Sequence, residues 1–308
     1  MLTIFSTAKP FEGHSEIIQR NAIKSWTLLD PQPEIILFGN EPGVQEIAYE
    51  LGLVNVPEIA TNEYGTPLLN DMFEKAQRIA SNDIMCYVNA DVILMDDFID
   101  AVKKVQGIDE FLMVSRRWDV AVDSMLRFEE SGWQDNLRDF VKENGELRPP
   151  VFIDCFVFKG RLFNNIPPFA IGRLAWDNWL LYQARRMKAS LIDATEAVML
   201  VHQNHDYSNL GGISDEELVE LPEVKYNLKL SGGADFWWLV SDAQFLVTRE
   251  GLVRAGLQNR SLARWMKTSC LLHPFFGFLL HPYFRFCYKA VRYMVNIVRP
   301  GVRASWNM

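Results

Sequence analysis

Continuous apolar runs alternate with helix-length segments over the first third of the chain, and this order restricts the fold more than any other feature. Runs at 2–5, 34–40 and 84–88 have the length of strands and show no polar alternation. Segments with apolar residues spaced near 3.6, such as 17–26 and 66–81, lie between them. Strands of this kind are covered on both faces, and strands joined by helices pair in parallel. The order therefore predicts an α/β fold with a mainly parallel sheet flanked by helices.

The second half of the chain continues the alternation less regularly. Segments 110–118, 151–158 and 196–203 read as strands, and segments 124–144 and 176–188 read as helices. No internal repeat and no low-complexity linker interrupts the order. We therefore expect one large domain that extends to about residue 250.

Charge divides the chain into two segments. Residues 251–308 contain nine Lys or Arg and no Asp or Glu, whereas the first 250 residues contain 22 basic and 39 acidic residues. The predicted division is a domain at 1–250 and a helical, basic and aromatic segment at 251–308. An acidic body repels phosphates, so we expect no nucleic-acid partner.

The basic segment predicts contact with an anionic membrane surface. Aromatic and leucine residues accompany its Lys and Arg residues, a composition that suits helices lying in the membrane interface. Its apolar stretch at 270–280 is too short to span a bilayer. A helical cap on the domain or a dimer interface is the alternative. The start of the chain has no signal-peptide pattern and the four cysteines form no disulfide framework, so we expect a cytoplasmic protein, peripheral on the inner membrane face if the segment binds lipid.

Polar residues follow the apolar strands at four places. They are Ser6 and Thr7, Gly39 and Asn40, Asn89 to Asp91, and His202 to His205. In open α/β sheets, ligands bind at the carboxyl ends of the strands, so these residues are the candidates for a site. No GxGxxG loop and no Walker loop is present to hold phosphate. A divalent cation bound by Asp91 and an imidazole is the alternative, although Asn89 and Asp91 can also form an ordinary turn and the histidines can simply pack.

The order of strand, helix and strand followed by "YVNADVIL" resembles the nucleotide-sugar-dependent glycosyltransferases of the GT-A fold, whose DxD motif lies at this place. Other segments resemble a bacterial and plant group of nucleotide-diphospho-sugar transferases. They are "FGN", "NEYGTPLLNDMFEKAQ", "PPFAIGRLAWDNWL", "DATEAV" and "VHQNHDYSNLGG". The resemblance covers about residues 1–250 and implies a GT-A-like, Rossmann-like sheet domain that transfers a sugar from a nucleotide-diphosphate donor.

The resemblance implies roles for the donor and metal site. Asp91 is the last acid of an Asn-Ala-Asp variant of DxD and the implied ligand of Mn²⁺ or Mg²⁺. A histidine after a late strand completes the metal site, which implies His202 or His205, with His202 preferred. Asn89 replaces the first acid and is implied to contact the ribose. The remaining implied donor contacts are Ser6, Thr7 and Asn40 on the nucleoside, and Arg116 or Arg117 on the diphosphate, where a solvated surface pair of arginines is the alternative.

Asp177 lies between two tryptophans in "LAWDNWLL" and is our candidate for the general base. Indole faces stack on sugar rings, and an apolar surrounding raises the pKa of a carboxyl group towards a useful value, so Trp176 and Trp179 are candidate acceptor contacts. The alternative is an acid that the helix dipole favours, with both tryptophans in the core. Asp154 is a second candidate that orients the acceptor.

These residues together predict a metal-dependent glycosyltransferase with a glycan or lipid-linked acceptor. A base at Asp177 implies a single displacement with inversion, although a retaining mechanism stays open. One alternative is a homologue that binds nucleotide sugar or glycan without turnover, which Asn89 permits. The other is a sugar nucleotidyltransferase, which requires a Gly-rich basic loop after the first strand, where only Lys9 is present.

Overall fold

The computed structural model describes residues 1–205, 215–256 and 262–272. The chain divides into two compact units, Met1–Arg254 and Ala255–Met308. The sequence division after residue 250, which rests on charge and on the extent of the resemblance, stays a prediction of functional domains. Every described strand belongs to the first unit.

Thirteen strands and nine α-helices are formed by the described residues. The strands are β1 Leu2–Thr7, β2 Glu34–Phe38, β3 Val54–Val56, β4 Ile84–Val88, β5 Val92–Ile93, β6 Phe111–Val114, β7 Arg117–Val120, β8 Glu146–Leu147, β9 Cys155–Lys159, β10 Ser190–Asp193, β11 Leu200–Gln203, β12 Phe245–Val247 and β13 Leu252–Arg254. The helices are α1 Gly13–Thr27, α2 Val44–Leu51, α3 Leu69–Ile79, α4 Asp96–Val105, α5 Trp133–Asn144, α6 Trp176–Arg186, α7 Asp215–Glu220, α8 Pro222–Leu230 and α9 Leu262–Leu272.

The main sheet has nine strands in the order β13-β12-β10-β6-β9-β4-β1-β2-β3. Five of its pairings are parallel, and the helices connect the parallel strands as the sequence predicts. The predicted α/β class with a mainly parallel sheet is confirmed. Within it, β9 is antiparallel to both β4 and β6, which the apolar run at 151–158 did not reveal.

Two helix predictions differ from the structure at their starts. The predicted helix 124–144 begins only at Trp133, after a left-handed Gly132 with φ of 81°. Glycine adopts this conformation at little cost, so the chain turns there and only the later part of the amphipathic pattern forms the helix. The helix predicted over 66–81 begins at Leu69, so Pro67 precedes its first turn.

An aromatic layer covers one face of the main sheet and supports the end of β4. Phe5 packs edge-on against Phe73 and Tyr87, with ring centroids 5.0 and 5.8 Å apart. Tyr87 also packs against Trp176 of α6, with ring centroids 5.4 Å apart. Burial of such side chains contributes about 1.5–3 kcal/mol each. The layer therefore fixes the carboxyl end of β4 relative to the start of α6.

A second sheet has four strands in the order β5-β11-β7-β8. Its first strand, β5, begins one residue after Asp91, and the helix α1 anchors it. The indole N–H of Trp26 donates to the carbonyl oxygen of Val92 at 2.9 Å, and the hydroxyl of Ser25 accepts from the N–H of Leu94 at 3.0 Å. The segment that carries Asp91 is thereby held between two sheets.

The second unit is described only by α9 and the two residues Ala255 and Gly256. Most of the basic and aromatic residues of the predicted membrane segment lie outside the described residues. None of the described helices is both long and apolar enough to cross a bilayer.

Candidate functional site

Asp91 lies in the turn between β4 and β5, and strand pairing brings it to β11. β5 pairs with β11 in antiparallel register, with Val92 opposite His202. The backbone N–H and the side-chain amide of Gln203 both donate to the carbonyl oxygen of Asp91, at 3.2 and 3.0 Å. The turn is therefore attached directly to the strand that carries the histidine.

Asp91, His202 and His205 form one cluster whose candidate ligand atoms all lie within 4.8 Å of one another. Nε2 of His205 lies 3.0 Å from Oδ2 of Asp91, and Nε2 of His202 lies 3.8 Å from the same oxygen. His202 lies inside β11 rather than after it, and its side chain is buried. Both candidate histidines therefore reach the carboxylate.

The cluster suits a divalent cation by its donor set. Oδ1 of Asp91 is buried without a hydrogen-bond partner, so a strong acceptor is free to bind a cation. Burial alone would raise the pKa of Asp91, but His202 and His205 outweigh it and hold the pKa below its usual range. Lys9, in the loop after β1, lowers this pKa further. The carboxylate is a ligand type that suits Mn²⁺ and Mg²⁺, and the two imidazoles are ligand types that suit softer divalent metals.

Asp119 of β7 was not identified from the sequence, and it contacts the cluster. Its Oδ1 lies 3.1 Å from Nδ1 of His202 and 2.8 Å from Nε of Arg117. Nε of Arg148 lies 3.3 Å from its other oxygen. Burial alone would raise the pKa of Asp119, but His202 and Arg117 outweigh it and lower the pKa. Asp119 lies in the middle of a strand of the second sheet, so a search of strand ends could not find it.

Asp154 joins Arg117 to Asn89. Its two oxygens accept from Nη1 of Arg117 at 2.6 Å and from the side-chain amide of Asn89 at 2.8 Å. The amide oxygen of Asn89 accepts from the hydroxyl of Tyr87 at 2.9 Å. A carboxylate at position 89 would face that of Asp154 with like charge, whereas an amide donates to it. The neighbouring Asp154 gives a physical reason for asparagine in the first position of the motif.

Asp177 is the second residue of α6, and the helix begins directly after a strained residue. Ala175 has a φ of 90°, which side chains other than glycine rarely adopt. Such outliers persist where the surrounding structure enforces them, and they concentrate at functional sites. Oδ1 of Asp177 is buried without a partner. Burial raises the pKa of Asp177 to about 7; backbone N–H groups at the start of the helix oppose the rise, and Asp154 adds to it.

The two tryptophans that flank Asp177 are both more than nine-tenths buried. Trp176 packs against Tyr87 and Phe156, and Trp179 packs against Phe169 with ring centroids 5.3 Å apart. These contacts place both indoles in the interior of the domain. Their stacking on an acceptor sugar stays a prediction.

The remaining candidates for donor contacts lie at the predicted strand ends or in the second sheet. The buried Ser6 hydroxyl donates to the carbonyl oxygen of Val88, so it joins β1 to β4. Thr7 ends β1, and Asn40 is exposed after β2. Nε of Arg116 donates to the carbonyl oxygen of Arg148 at 2.6 Å. The structure does not test whether any of them contacts a nucleotide.

No protein-family model matches the chain, and no curated protein matches it. Solved structures do match. Glucosyl-3-phosphoglycerate synthase from Mycobacterium tuberculosis, in complex with Mn²⁺, uridine diphosphate and phosphoglyceric acid, aligns with 16% identity over 76% of this chain and 79% of its own, with a TM-score of 0.45.

Two further structures are similar to the same degree. TarS 1–349 from S. aureus aligns with 10% identity over 66% of this chain and 60% of its own, with a TM-score of 0.44. A mycobacterial protein aligns with 15% identity over 85% of this chain and 82% of its own, with a TM-score of 0.45. Similarity of this degree does not by itself assign a function, which has to be inferred from the site.

Proposed function

We propose that the chain is a metal-dependent glycosyltransferase that moves a sugar from a nucleotide-diphosphate donor to an acceptor hydroxyl. The observation that carries the proposal is the arrangement around Tyr87. Its hydroxyl donates to Asn89 at 2.9 Å, in the turn that also carries Asp91, and its ring packs against Trp176, the residue before Asp177, with ring centroids 5.4 Å apart. The candidate metal cluster and the unpartnered carboxyl group of Asp177 are thereby attached to the same residue at the end of β4.

The metal site consists of Asp91, His202 and His205. One carboxylate oxygen and two imidazole nitrogens leave coordination positions open for diphosphate oxygens, and Mn²⁺ or Mg²⁺ is the expected ion. When bound, the ion neutralises the charge that develops on the leaving diphosphate. Lys9, which lowers the pKa of Asp91, supplies a second positive charge at this place.

The proposed contacts to the donor come from β1, from the second residue after β2 and from the turn after β4. Thr7 and Asn40 face the nucleoside, whereas the predicted contact of Ser6 is not retained because its buried hydroxyl donates to Val88. Asn89 contacts the ribose. The side-chain amide of Asn89 accepts from Tyr87 and donates to Asp154, which fixes its orientation. One N–H and one lone pair of the amide oxygen then remain for a sugar hydroxyl.

Either Arg116 or Arg117 pairs with the diphosphate. Arg117 already bridges Asp119 and Asp154 in the structure, so its guanidinium is fixed before the donor binds. Bidentate contact with phosphate oxygens is the usual role of such a group.

Asp177 acts as the general base in this proposal. It accepts the proton of the acceptor hydroxyl as that oxygen attacks the anomeric carbon, and the reaction proceeds with inversion. A pKa of about 7 makes the carboxylate basic enough to accept the proton while much of it is still ionised at neutral pH. The interior indoles of Trp176 and Trp179 hold the start of α6, which carries Asp177, and Asp154 orients a glycan or lipid-linked acceptor.

A binding screen tests the proposal directly. Nucleotide-diphosphate sugars with different bases and sugars are titrated into the protein by calorimetry, with Mn²⁺ or with a chelator. We expect at least one donor to bind about tenfold more tightly with Mn²⁺, a difference of ~1.4 kcal/mol, and to be hydrolysed slowly in the absence of acceptor.

Two results would count against this proposal. Binding that ignores the metal, or no binding by any donor, contradicts it. Metal-dependent binding without any hydrolysis or transfer favours the homologue that binds without turnover.

The basic segment directs the protein to an anionic membrane surface, which makes a lipid-linked acceptor accessible. Nine Lys or Arg residues without any acid lie in 251–308, and each contributes about 1 kcal/mol near anionic lipid. In flotation with phosphatidylglycerol vesicles, we expect the full chain to float and a chain ending at Gly256, beyond β13, to remain at the bottom. Vesicles of phosphatidylcholine alone are the control. Equal flotation of both chains contradicts membrane binding by the segment.

A further inference from the structure

The imidazole of His202 lies between two carboxylates in the structure. β7 and β11 pair in parallel with Asp119 opposite His202, so their side chains leave the same face of the second sheet. Nδ1 of His202 lies 3.1 Å from Oδ1 of Asp119, and Nε2 lies 3.8 Å from Oδ2 of Asp91. Each ring nitrogen therefore faces a different acid.

We propose that Asp119 is a positioning residue that fixes the tautomer and ring orientation of His202 for the metal. This inference rests on the proposed metal site. Nδ1 of His202 and Oδ1 of Asp119 are both buried without a hydrogen-bond partner, and a carboxylate has only acceptor atoms, so a proton on Nδ1 is what lets these two atoms, 3.1 Å apart, satisfy each other. The lone pair then lies on Nε2, which faces Asp91 and would bind the ion. Histidines that bind metals are commonly held in this way by a carboxylate on the other nitrogen.

Two arginines hold Asp119 in place. Nε of Arg117 lies 2.8 Å from its Oδ1, and Nε of Arg148 lies 3.3 Å from its Oδ2. Both guanidinium groups also lie over the ring of Phe152, at 5.3 and 4.6 Å from the ring centroid. The carboxylate therefore has little freedom to rotate away from His202.

Arg117 extends the arrangement to the donor side of the site. Two residues before Asp119 on the same strand, it lies on the same face and also contacts Asp154 at 2.6 Å. Asp154 in turn accepts from Asn89. A continuous row of charged and polar contacts therefore connects His202 of the candidate metal cluster with Asn89, the residue expected to contact the ribose.

Asp119→Asn tests the proposal without a change of size. An amide can donate to Nδ1 as well as accept from it, so the variant no longer specifies which nitrogen carries the lone pair. We expect the dissociation constant for Mn²⁺, measured by electron paramagnetic resonance without any nucleotide, to rise about 10–100-fold. Glu146→Gln is the matched control, because Glu146 is an exposed partner of Arg148 that does not contact His202 in the described structure. Its dissociation constant is expected to stay within about twofold of the wild type.

A measurement on the wild type avoids any variant that fails to fold. In the zinc-loaded protein with ¹⁵N-labelled histidine, long-range ¹H–¹⁵N spectra identify which ring nitrogen is protonated. We expect His202 to carry its proton on Nδ1. A proton on Nε2, or equal Mn²⁺ affinities for Asp119→Asn and Glu146→Gln, overturns the role of Asp119.

Failure of this inference is distinguishable from failure of the proposed function. A wild-type protein that binds Mn²⁺ and donor but is indifferent to the Asp119 substitution loses only the positioning role. A wild-type protein that does not bind Mn²⁺ at all overturns both the positioning role and the metal-dependent transfer.

Discussion

Asp91→Ala is expected to abolish Mn²⁺-dependent donor binding and to lower kcat/KM by about 10³-fold, equivalent to ~4 kcal/mol. Asp91 supplies the only carboxylate of the cluster found among the described residues, and its Oδ2 is the atom that both histidines approach. Without it, the two imidazoles face each other with no negative group between them. Donor titrations with Mn²⁺ and with a chelator measure the loss.

The control for this variant is Asp100→Asn. Asp100 is an exposed acid of α4 that pairs only weakly with the exposed Lys103. It removes one negative charge from the domain without touching the cluster, so its donor affinity is expected to match the wild type. Circular dichroism shows whether both variants remain folded. Metal-dependent binding that survives in Asp91→Ala would exclude Asp91 as the ligand.

Asp177→Asn is expected to lower kcat by about 10²–10⁴-fold while donor and Mn²⁺ still bind. The amide keeps the size of the side chain but cannot accept the proton of the acceptor hydroxyl. Asp96→Asn is the matched control, since Asp96 is also an acid in the first turn of a helix but is exposed on α4. If the carboxylate of Asp177 serves only to interact with the helix dipole, both variants lose a similar free energy of unfolding, about 0.3–1 kcal/mol, and kcat is unchanged in both.

The pH dependence provides a second measurement on Asp177. A base must be deprotonated, so kcat is expected to rise with pH through an apparent pKa of about 7 and to level off above it. The limb disappears in Asp177→Asn. A wild-type rate that is flat between pH 5 and pH 8 would contradict the assignment.

The same raised pKa predicts how stability changes with pH. Between the usual carboxyl pKa of 3.8 and about 7, the folded protein binds more protons at Asp177 than the unfolded chain does. The free energy of unfolding therefore falls as pH rises through this window, and the contribution is constant on either side. Asp177→Asn removes this fall. The free energy of unfolding of the variant, relative to that of the wild type, is therefore expected to increase as pH rises from about 4 to about 7.

Several elements of the site could be predicted because they depend on local sequence. The apolar run at 84–88 followed by Asn89, Ala90 and Asp91 predicts a buried strand and a polar turn at the edge of the sheet, and both are present. His202 and His205 follow the same logic after the apolar residues of β11. Asp177 was predicted from the two tryptophans beside it, and the structure adds the burial that raises its pKa.

Other elements depend on pairings between distant residues. β9 is antiparallel, so Asp154 precedes its strand and still lies at the carboxyl end of β4 beside Asn89. A single apolar run does not specify strand direction, because side chains alternate in the same way in both directions. The helix predicted over 124–144 begins only at Trp133 for a related reason, since the contacts of the folded chain decide which part of an amphipathic pattern is helical.

The sequence alone determined the class of the fold and the chemical types in the candidate site: a mainly parallel sheet, an acid after β4, two histidines at β11 and an acid at the start of α6. Periodicity and residue chemistry carry that information locally. Only the tertiary structure decided that both histidines reach Asp91, that Asp119 lies opposite His202, and that Asn89 donates to Asp154. Those contacts follow from strand register across separations of up to 114 residues, and register is set by the burial of whole strands rather than by any short stretch of sequence.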